Sequence, residues 1–282
     1  MWNHIMLSGF ADEIDPDLNK QIEVLHKLKM NYVEMRGVNG KGLVEYTLPE
    51  VKEIKKQLDS EGIKLSSVGS PIGKIQITDE FAPHMELYKH TVEIAHIMDT
   101  ESIRMFSFFM PEGQSYEPYR NQVMDQLGQF VDYAKENGVI LLHENEKDIY
   151  GDIAPRCLEI MHEFYGGHMK AVFDFANFVQ CQQDTVAAYE MLKPYIAYIH
   201  IKDALWESGS VVPAGTGDGR VEEILAKLKA DGYQGFLSLE PHLSDFAGFS
   251  ALEKNAGGKK KLNGEEAFTL AYESLAKILE KL

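Results

Sequence analysis

Cysteine is scarce. Cys157 and Cys181 are the only two in 282 residues, and their spacing suits neither a metal site nor a disulfide framework. That usage fits a reducing compartment, so a cytoplasmic location is expected. Long apolar runs are missing too. None approaches the roughly 20 residues a membrane helix needs, and no membrane partner is expected. The first residues carry neither a basic region nor an extended apolar stretch, so no signal peptide is expected. Basic residues number 28 against 44 acidic ones, for a net charge of −16. An anionic body repels phosphate backbones, which argues against nucleic acid as a partner. The one dense basic run, Lys259-Lys260-Lys261, reads as a solvated loop. No glycine-rich phosphate fingerprint follows the first strand, where Ser8-Gly9-Phe10-Ala11-Asp12 stands.

What the chain does have is a hydrophobic content of 44%, ample for one core, and a regular alternation. Eight short β-type runs span about 6–13, 31–38, 63–70, 101–109, 139–145, 170–177, 196–204 and 235–242. Several are almost continuously apolar, as strands of a parallel sheet covered on both faces should be. Helix-compatible segments fall at 18–29, 49–61, 84–98, 117–137, 154–164, 184–193, 220–231 and 265–281. In the first, Leu18, Ile22, Leu25 and Leu28 draw one apolar stripe. Four helices are expected to stop at Gly62, Gly138, Gly166-Gly167 and Gly232. Eight strand–helix units predict an α/β fold, a single (β/α)₈ TIM barrel domain over 1–282, in preference to an open doubly wound sheet. The longest connection outside the repeat, 243–264, reads as a surface excursion or a lid carrying Phe246 and Phe249.

Barrel chemistry sits where strands end and βα loops begin. The fifth run ends in His143-Glu144-Asn145-Glu146, the sixth carries Asp174, the seventh His200 and the eighth Glu240. Each is an ionisable group after an apolar run, where an isolated charge is costly unless paired or metal-bound. Four of them in register converge on one volume. Three carboxylates crowded together call for a cation, and an imidazole with carboxylate oxygens suits one divalent ion. The oxygen-rich set leans to Mn²⁺ or Mg²⁺, with Co²⁺ or Zn²⁺ as options. The bland alternative is four strand-end polar residues, solvated or paired with Lys202 and Arg104.

The ordered set Gly138-Val139-Ile140-Leu141-Leu142-His143-Glu144-Asn145, Phe173-Asp174-Phe175-Ala176-Asn177, His200-Ile201-Lys202-Asp203 and Leu239-Glu240 resembles the xylose isomerase-like barrels. These are also described as sugar phosphate isomerases/epimerases, and the resemblance spans essentially the whole chain. It implies metal ligands at Glu144, Asp174, His200 and Glu240, with Glu146 the rival at the first position. It also implies that Glu144 and Glu240 move a proton, and that the substrate is a small sugar or polyol, phosphorylated or not. The reaction expected is isomerisation or epimerisation through an enediolate. A dehydratase of the inosose or dehydroshikimate type, or a non-catalytic sugar-binding barrel, is the alternative. Relatives commonly pair, so a homodimer is compatible.

One departure is Asn177, where ketose epimerases carry a substrate-contacting histidine; asparagine bonds a hydroxyl but cannot act as an imidazolium acid. With Gly219, it also removes histidines that the DNA-repair branch needs. Lys202 shares a strand face with His200 and either binds a substrate oxygen or pairs with Asp203 or Glu240. His242 is a substrate contact, a neighbour supporting Glu240, or a loop residue. His143 faces away from Glu144 and reads as structural. Glu34, Arg36 and Arg104 are weaker substrate-binding candidates, with an internal pair among them equally open. Phe10, Phe106, Phe108, Phe109, Phe175 and Trp206 either wall a sugar pocket or pack the core.

Overall fold

A computed structural model describes residues 2, 5–244 and 262–282. Lys259–Lys261, Phe246, Phe249 and most of the expected lid lie outside the described residues.

Eight parallel strands form a nearly closed TIM barrel. They are β1 (Met6–Gly9), β2 (Tyr32–Met35), β3 (Lys64–Val68) and β4 (Ser102–Met105), then β5 (Ile140–Glu144), β6 (Met169–Asp174), β7 (Ile196–Ile201) and β8 (Phe236–Leu239). Ladders join β2 through β8 in chain order and return from β8 to β1. Around the ring run α1 (Leu18–Lys27), α2 (Leu48–Ser60), α3 (Phe81–Ile97), α4 (Arg120–Asn137), α5 (Ala154–Phe164), α6 (Phe175–Gln180), α7 (Thr185–Leu192), α8 (Val221–Ala230) and α9 (Gly264–Lys281). Among the described residues no helix is long and apolar enough to cross a membrane.

Local sequence sets the helix limits. Thr47 and Glu50 close a reciprocal capping box at the head of α2, and Asn263 and Glu266 do the same for α9. Gly138 ends α4 in the left-handed region at φ +69°, which costs glycine nothing. The tail of α5 departs from expectation: Tyr165 turns the chain, and neither Gly166 nor Gly167 has a positive φ. Two expected strands were also too long. Run 6–13 breaks into a 3₁₀ turn at Ala11–Glu13, and run 170–177 stops at Asp174, where α6 begins. Phe-Ala-Asn-Phe looks strand-like by propensity, but the Asp174 carboxylate caps a helix there by accepting from Asn177 N at 2.7 Å.

Period-two alternation decides what enters the barrel. At its lower end Leu142, Val172 and Tyr198 pack with Ile140, Ala197 and Phe236. Above them a hydroxyl chain crosses the ring, Ser8 Oγ to Ser66 Oγ at 2.7 Å and Ser66 Oγ to Tyr198 OH at 2.8 Å. Two residues further along β5, β6 and β7 the interior turns ionic, at Glu144, Asp174 and His200.

Candidate metal centre and active site

Glu144 ends β5, Asp174 ends β6, His200 lies on β7 and Glu240 follows β8. Each offers a ligand atom, and these four atoms lie within 4.8 Å of one another. All four residues are buried. His200 Nδ1 faces the three carboxylates: 3.0 Å from Glu144 Oε1, 3.6 Å from Glu240 Oε2 and 3.9 Å from Asp174 Oδ2. Its Nε2 turns the other way, 3.1 Å from Glu34 Oε2, which also accepts from Ser238 Oγ at 2.7 Å.

Asp174 divides its oxygens between two tasks. Oδ1 caps α6, and Oδ2 accepts no hydrogen bond among the described residues, although the Lys202 ammonium stands 3.3 Å away. Asn145 fixes the peptide beneath it, giving Nδ2–H to Asp174 O at 3.0 Å and accepting Asp174 N–H at 2.9 Å. Asn177 donates from Nδ2 to Glu144 Oε1 at 3.3 Å, while its Oδ1 accepts nothing among the described residues. An imidazole nitrogen, three carboxylates and a buried acceptor left without a donor fit a divalent cation.

Counter-charges surround the cluster. Arg104 Nη1 lies 3.1 Å from Glu144 Oε2, and its Nη2 donates to the carbonyls of Gly69 and Ser70. Lys202 Nζ bridges Glu240 Oε2 at 3.0 Å and Asp174 Oδ2, whereas Asp203 accepts four backbone N–H groups, from Ala204, Gly215, Gly217 and Gly219. Glu240 Oε1 meets Arg36 Nη1 at 3.4 Å and His242 Nε2 at 3.2 Å. Phe10 lies edge-on to His200 with its face under Arg36 and Arg104. Phe106 sits under Arg104 and Lys74.

Burial pushes the Asp174 carboxyl up to about 7, reinforced by Glu240 and Glu144 and opposed by Lys202. Burial works against the Glu240 anion as well, but Lys202, His242 and His200 outweigh it and hold that group well below the usual carboxylate range. For Glu146, burial is outweighed by Lys74, Lys147 and Lys202, which bring it to about 2.

Several expected residues sit elsewhere. Glu34, expected among the substrate-binding residues, is fully buried, where it bonds the His200 ring and Ser238. The internal pair proposed among Glu34, Arg36 and Arg104 does not form; Arg104 takes Glu144, and Arg36 takes Asp12, Glu13 and Glu240. Glu146 points out of the cluster to Lys74 at 3.2 Å. Phe108 and Phe175 pack in the core, Phe109 lines the mouth, and Trp206 is largely exposed. Glu13 escaped the sequence reading. It accepts His242 N–H at 2.7 Å, holding that residue at φ +48°, and lies 3.3 Å from Arg36 Nη2. The signal was present: Asp12 and Glu13 end the first β-run, and Glu240 falls near the end of the last.

His143 faces outward and is buried, its Nε2 2.9 Å from Ser107 Oγ. Burial depresses its pKa from 6.5 to about 4. Between those values the unfolded chain binds a proton that the native state refuses, so stability is lost as pH falls. Urea unfolding of wild type should lose roughly 2 kcal/mol from this group between pH 7.5 and pH 5. His143→Gln should flatten the profile by that amount; parallel profiles would refute it.

The loops after β3, β4, β5 and β7, with the end of α6, line a cavity of about 830 Å³ whose wall includes none of the four cluster residues. Its wall includes Glu146, two residues past Glu144, so it opens on the carboxyl ends of the strands.

Comparison with known proteins agrees with this layout. The chain is similar to a 3-dehydroshikimate dehydratase of Bacillus anthracis, 20% identical over 129 residues. That match takes in 46% of this chain and 46% of the dehydratase, so the chain spans about half the length of the curated relative it matches. Among solved structures it resembles an L-ribulose 3-epimerase, with a TM-score of 0.76 at 16% identity over 99% of this chain and 95% of that one. It equally resembles the IolI protein with a bound zinc atom, with a TM-score of 0.76 at 17% identity over 98% of each chain. At such identities these two likenesses establish the fold. The model of one protein family, described as xylose isomerase-like TIM barrel, matches residues 22–264. The chain belongs to the xylose isomerase-like TIM barrel family.

Proposed function

We propose that the protein is a divalent-metal-dependent sugar isomerase or epimerase. The observation that carries this reading is the convergence of Glu144, Asp174, His200 and Glu240 at the strand ends, with ligand atoms within 4.8 Å of one another and one Asp174 oxygen that accepts no hydrogen bond among the described residues. These four residues would hold the ion, which supplies Lewis-acid polarisation of a ketose carbonyl and acidifies the adjacent C–H. The donor set favours Mn²⁺ or Mg²⁺.

The chain's own groups do the rest. Glu144 and Glu240 come from strands three places apart in the ring and reach the substrate from opposite sides. One removes the carbon-bound proton and the other returns a proton to the opposite face. Arg104 fixes Glu144 through Oε2, and Arg36 with His242 fixes Glu240 through Oε1. Lys202 and Asn177 lie beside the same carboxylates, placed to meet substrate oxygens.

The test is solvent exchange. Metal-loaded protein in D₂O should place deuterium at the carbon beside a ketose carbonyl, read by NMR. A ketose panel without exchange would refute the reading. A dehydratase, the activity in the name of the Bacillus anthracis relative, shares the first proton removal. It then expels a hydroxyl, which His242, 3.2 Å from Glu240, would protonate. Ultraviolet absorbance from a conjugated product separates the two. Glu34→Gln should weaken metal binding about 10–100-fold by loosening His200, measured by competition with a chelating dye; unchanged affinity would show that His200 needs no such support.

A further inference from the structure

We infer that Glu13 is a positioning residue for Glu240. It holds Arg36 and His242 against one Glu240 oxygen and so keeps the other turned to the metal cluster. This inference rests on the proposed reading of that centre and adds the residue that aims one of its two acid–base groups.

Glu240 belongs to two groups of ligand-type side chains. Its Oε2 faces the cluster, 3.6 Å from His200 Nδ1 and 3.0 Å from Lys202 Nζ. Its Oε1 faces the other way, into a group made of Glu13, Glu240 and His242, whose ligand-type atoms also lie within 4.8 Å of one another. That second group has its cation built in. Arg36 Nη2 stands 3.3 Å from Glu13 Oε1 and Nη1 stands 3.4 Å from Glu240 Oε1, so one guanidinium serves both carboxylates. Asp12 steadies the same fork, accepting from Nε at 2.8 Å and from Nη2 at 3.2 Å. A divalent ion placed there would meet a guanidinium held against it.

Glu13 lies in the 3₁₀ turn after β1, and Glu240 and His242 follow β8, the strand that β1 pairs with where the ring closes. A buried carboxylate is costly unless compensated, and the two groups that compensate Glu13 are the two that engage Glu240. Glu13 Oε2 accepts His242 N–H at 2.7 Å, and its Oε1 lies 3.5 Å from His242 Nε2. The backbone bond holds His242 at φ +48°, a conformation that residues other than glycine seldom adopt. From that turn His242 Nε2 reaches Glu240 Oε1 at 3.2 Å. The last torsion of a glutamate side chain is soft, so Glu240 left to itself could present either oxygen to the cluster. Pinning Oε1 from two sides removes that freedom. Glu13 is the one carboxylate that anchors both pins.

The experiment is a double-mutant cycle on Mn²⁺ affinity, measured by competition with a chelating dye on the full chain, stripped of metal and free of sugar. Wild type should bind one Mn²⁺. Glu13→Gln should weaken binding about tenfold, as loss of a group supporting a ligand does. In a Glu240→Ala background the same change should cost little more, because nothing remains for Glu13 to aim. Glu13→Asp keeps the buried charge and should recover part of the loss; it enters the same cycle if the amide prevents folding. On any ketose that wild type exchanges, Mn²⁺-saturated Glu13→Gln should lose kcat with KM unchanged. Native Mn²⁺ affinity in Glu13→Gln would overturn the inference. So would an equal loss on both backgrounds, the mark of a merely structural role, or two Mn²⁺ per wild-type chain. If no ketose exchanges, the isomerase reading falls and the Mn²⁺ cycle still decides on Glu13. Exchange by wild type with additive Mn²⁺ losses would do the reverse.

Discussion

Glu240→Gln should cut substrate proton exchange by about 10³-fold, the middle of the range that a positioned acid or base contributes. The substitution keeps side-chain volume and one ligating oxygen, so it isolates charge and proton transfer. In the native site Glu240 Oε2 faces Lys202 and His200, while Oε1 is engaged by Arg36 and His242. An amide in that place cannot take a proton from carbon, and its NH₂ group would confront a guanidinium or an ammonium. The loss should therefore fall on kcat rather than KM. Glu144→Gln should act similarly, because Arg104 holds its Oε2 in the same way. Measuring bound metal and melting temperature alongside the rate separates a chemical defect from an unloaded or unfolded site. Loaded, folded Glu240→Gln protein that exchanges at the native rate would remove this residue from the chemistry.

Gly73→Ala should lower stability by roughly 3 kcal/mol, a fall in melting temperature of roughly 5 °C for a chain of this size. Gly73 has φ +86°, and a Cβ there would lie 2.0 Å from the main-chain oxygen of Phe106. No rotamer relieves a clash with backbone. The loop after β3 is stitched to the exit of β4 by Phe106 N–H to Ile72 O at 2.8 Å and Phe108 N–H to Gly73 O at 2.9 Å. Moving it breaks those bonds and displaces Lys74 from the cavity wall. Differential scanning calorimetry provides the measurement; an unchanged transition would mean the two loops part freely.

The barrel was legible because buried parallel strands leave continuous apolar runs, and runs as plain as Val139–Leu142 or Ile196–Ile201 admit little else. The converging residues were legible for a related reason: an ionisable group after such a run stands out. Contacts between distant strands leave no such trace. That Arg104 would take Glu144 while Arg36 takes Asp12, Glu13 and Glu240 depends on strand stagger, which composition does not encode. Glu34 was visible as a strand-end acid, but its place below His200 follows from a register shift between Val33 and Glu34. Helix α6 was hidden because a six-residue segment is too short for helical periodicity to emerge.

Every donor of the cluster, Glu144 through Glu240, comes from the later part of the chain, while Arg36, Arg104 and Glu34 come from the earlier part. The molecule is thus electrically complete only as a whole. A polypeptide carrying the last four strands by themselves would own the three acids and the imidazole of the cluster together with Lys202 and His242, and would lack both guanidinium groups that engage Glu144 and Glu240.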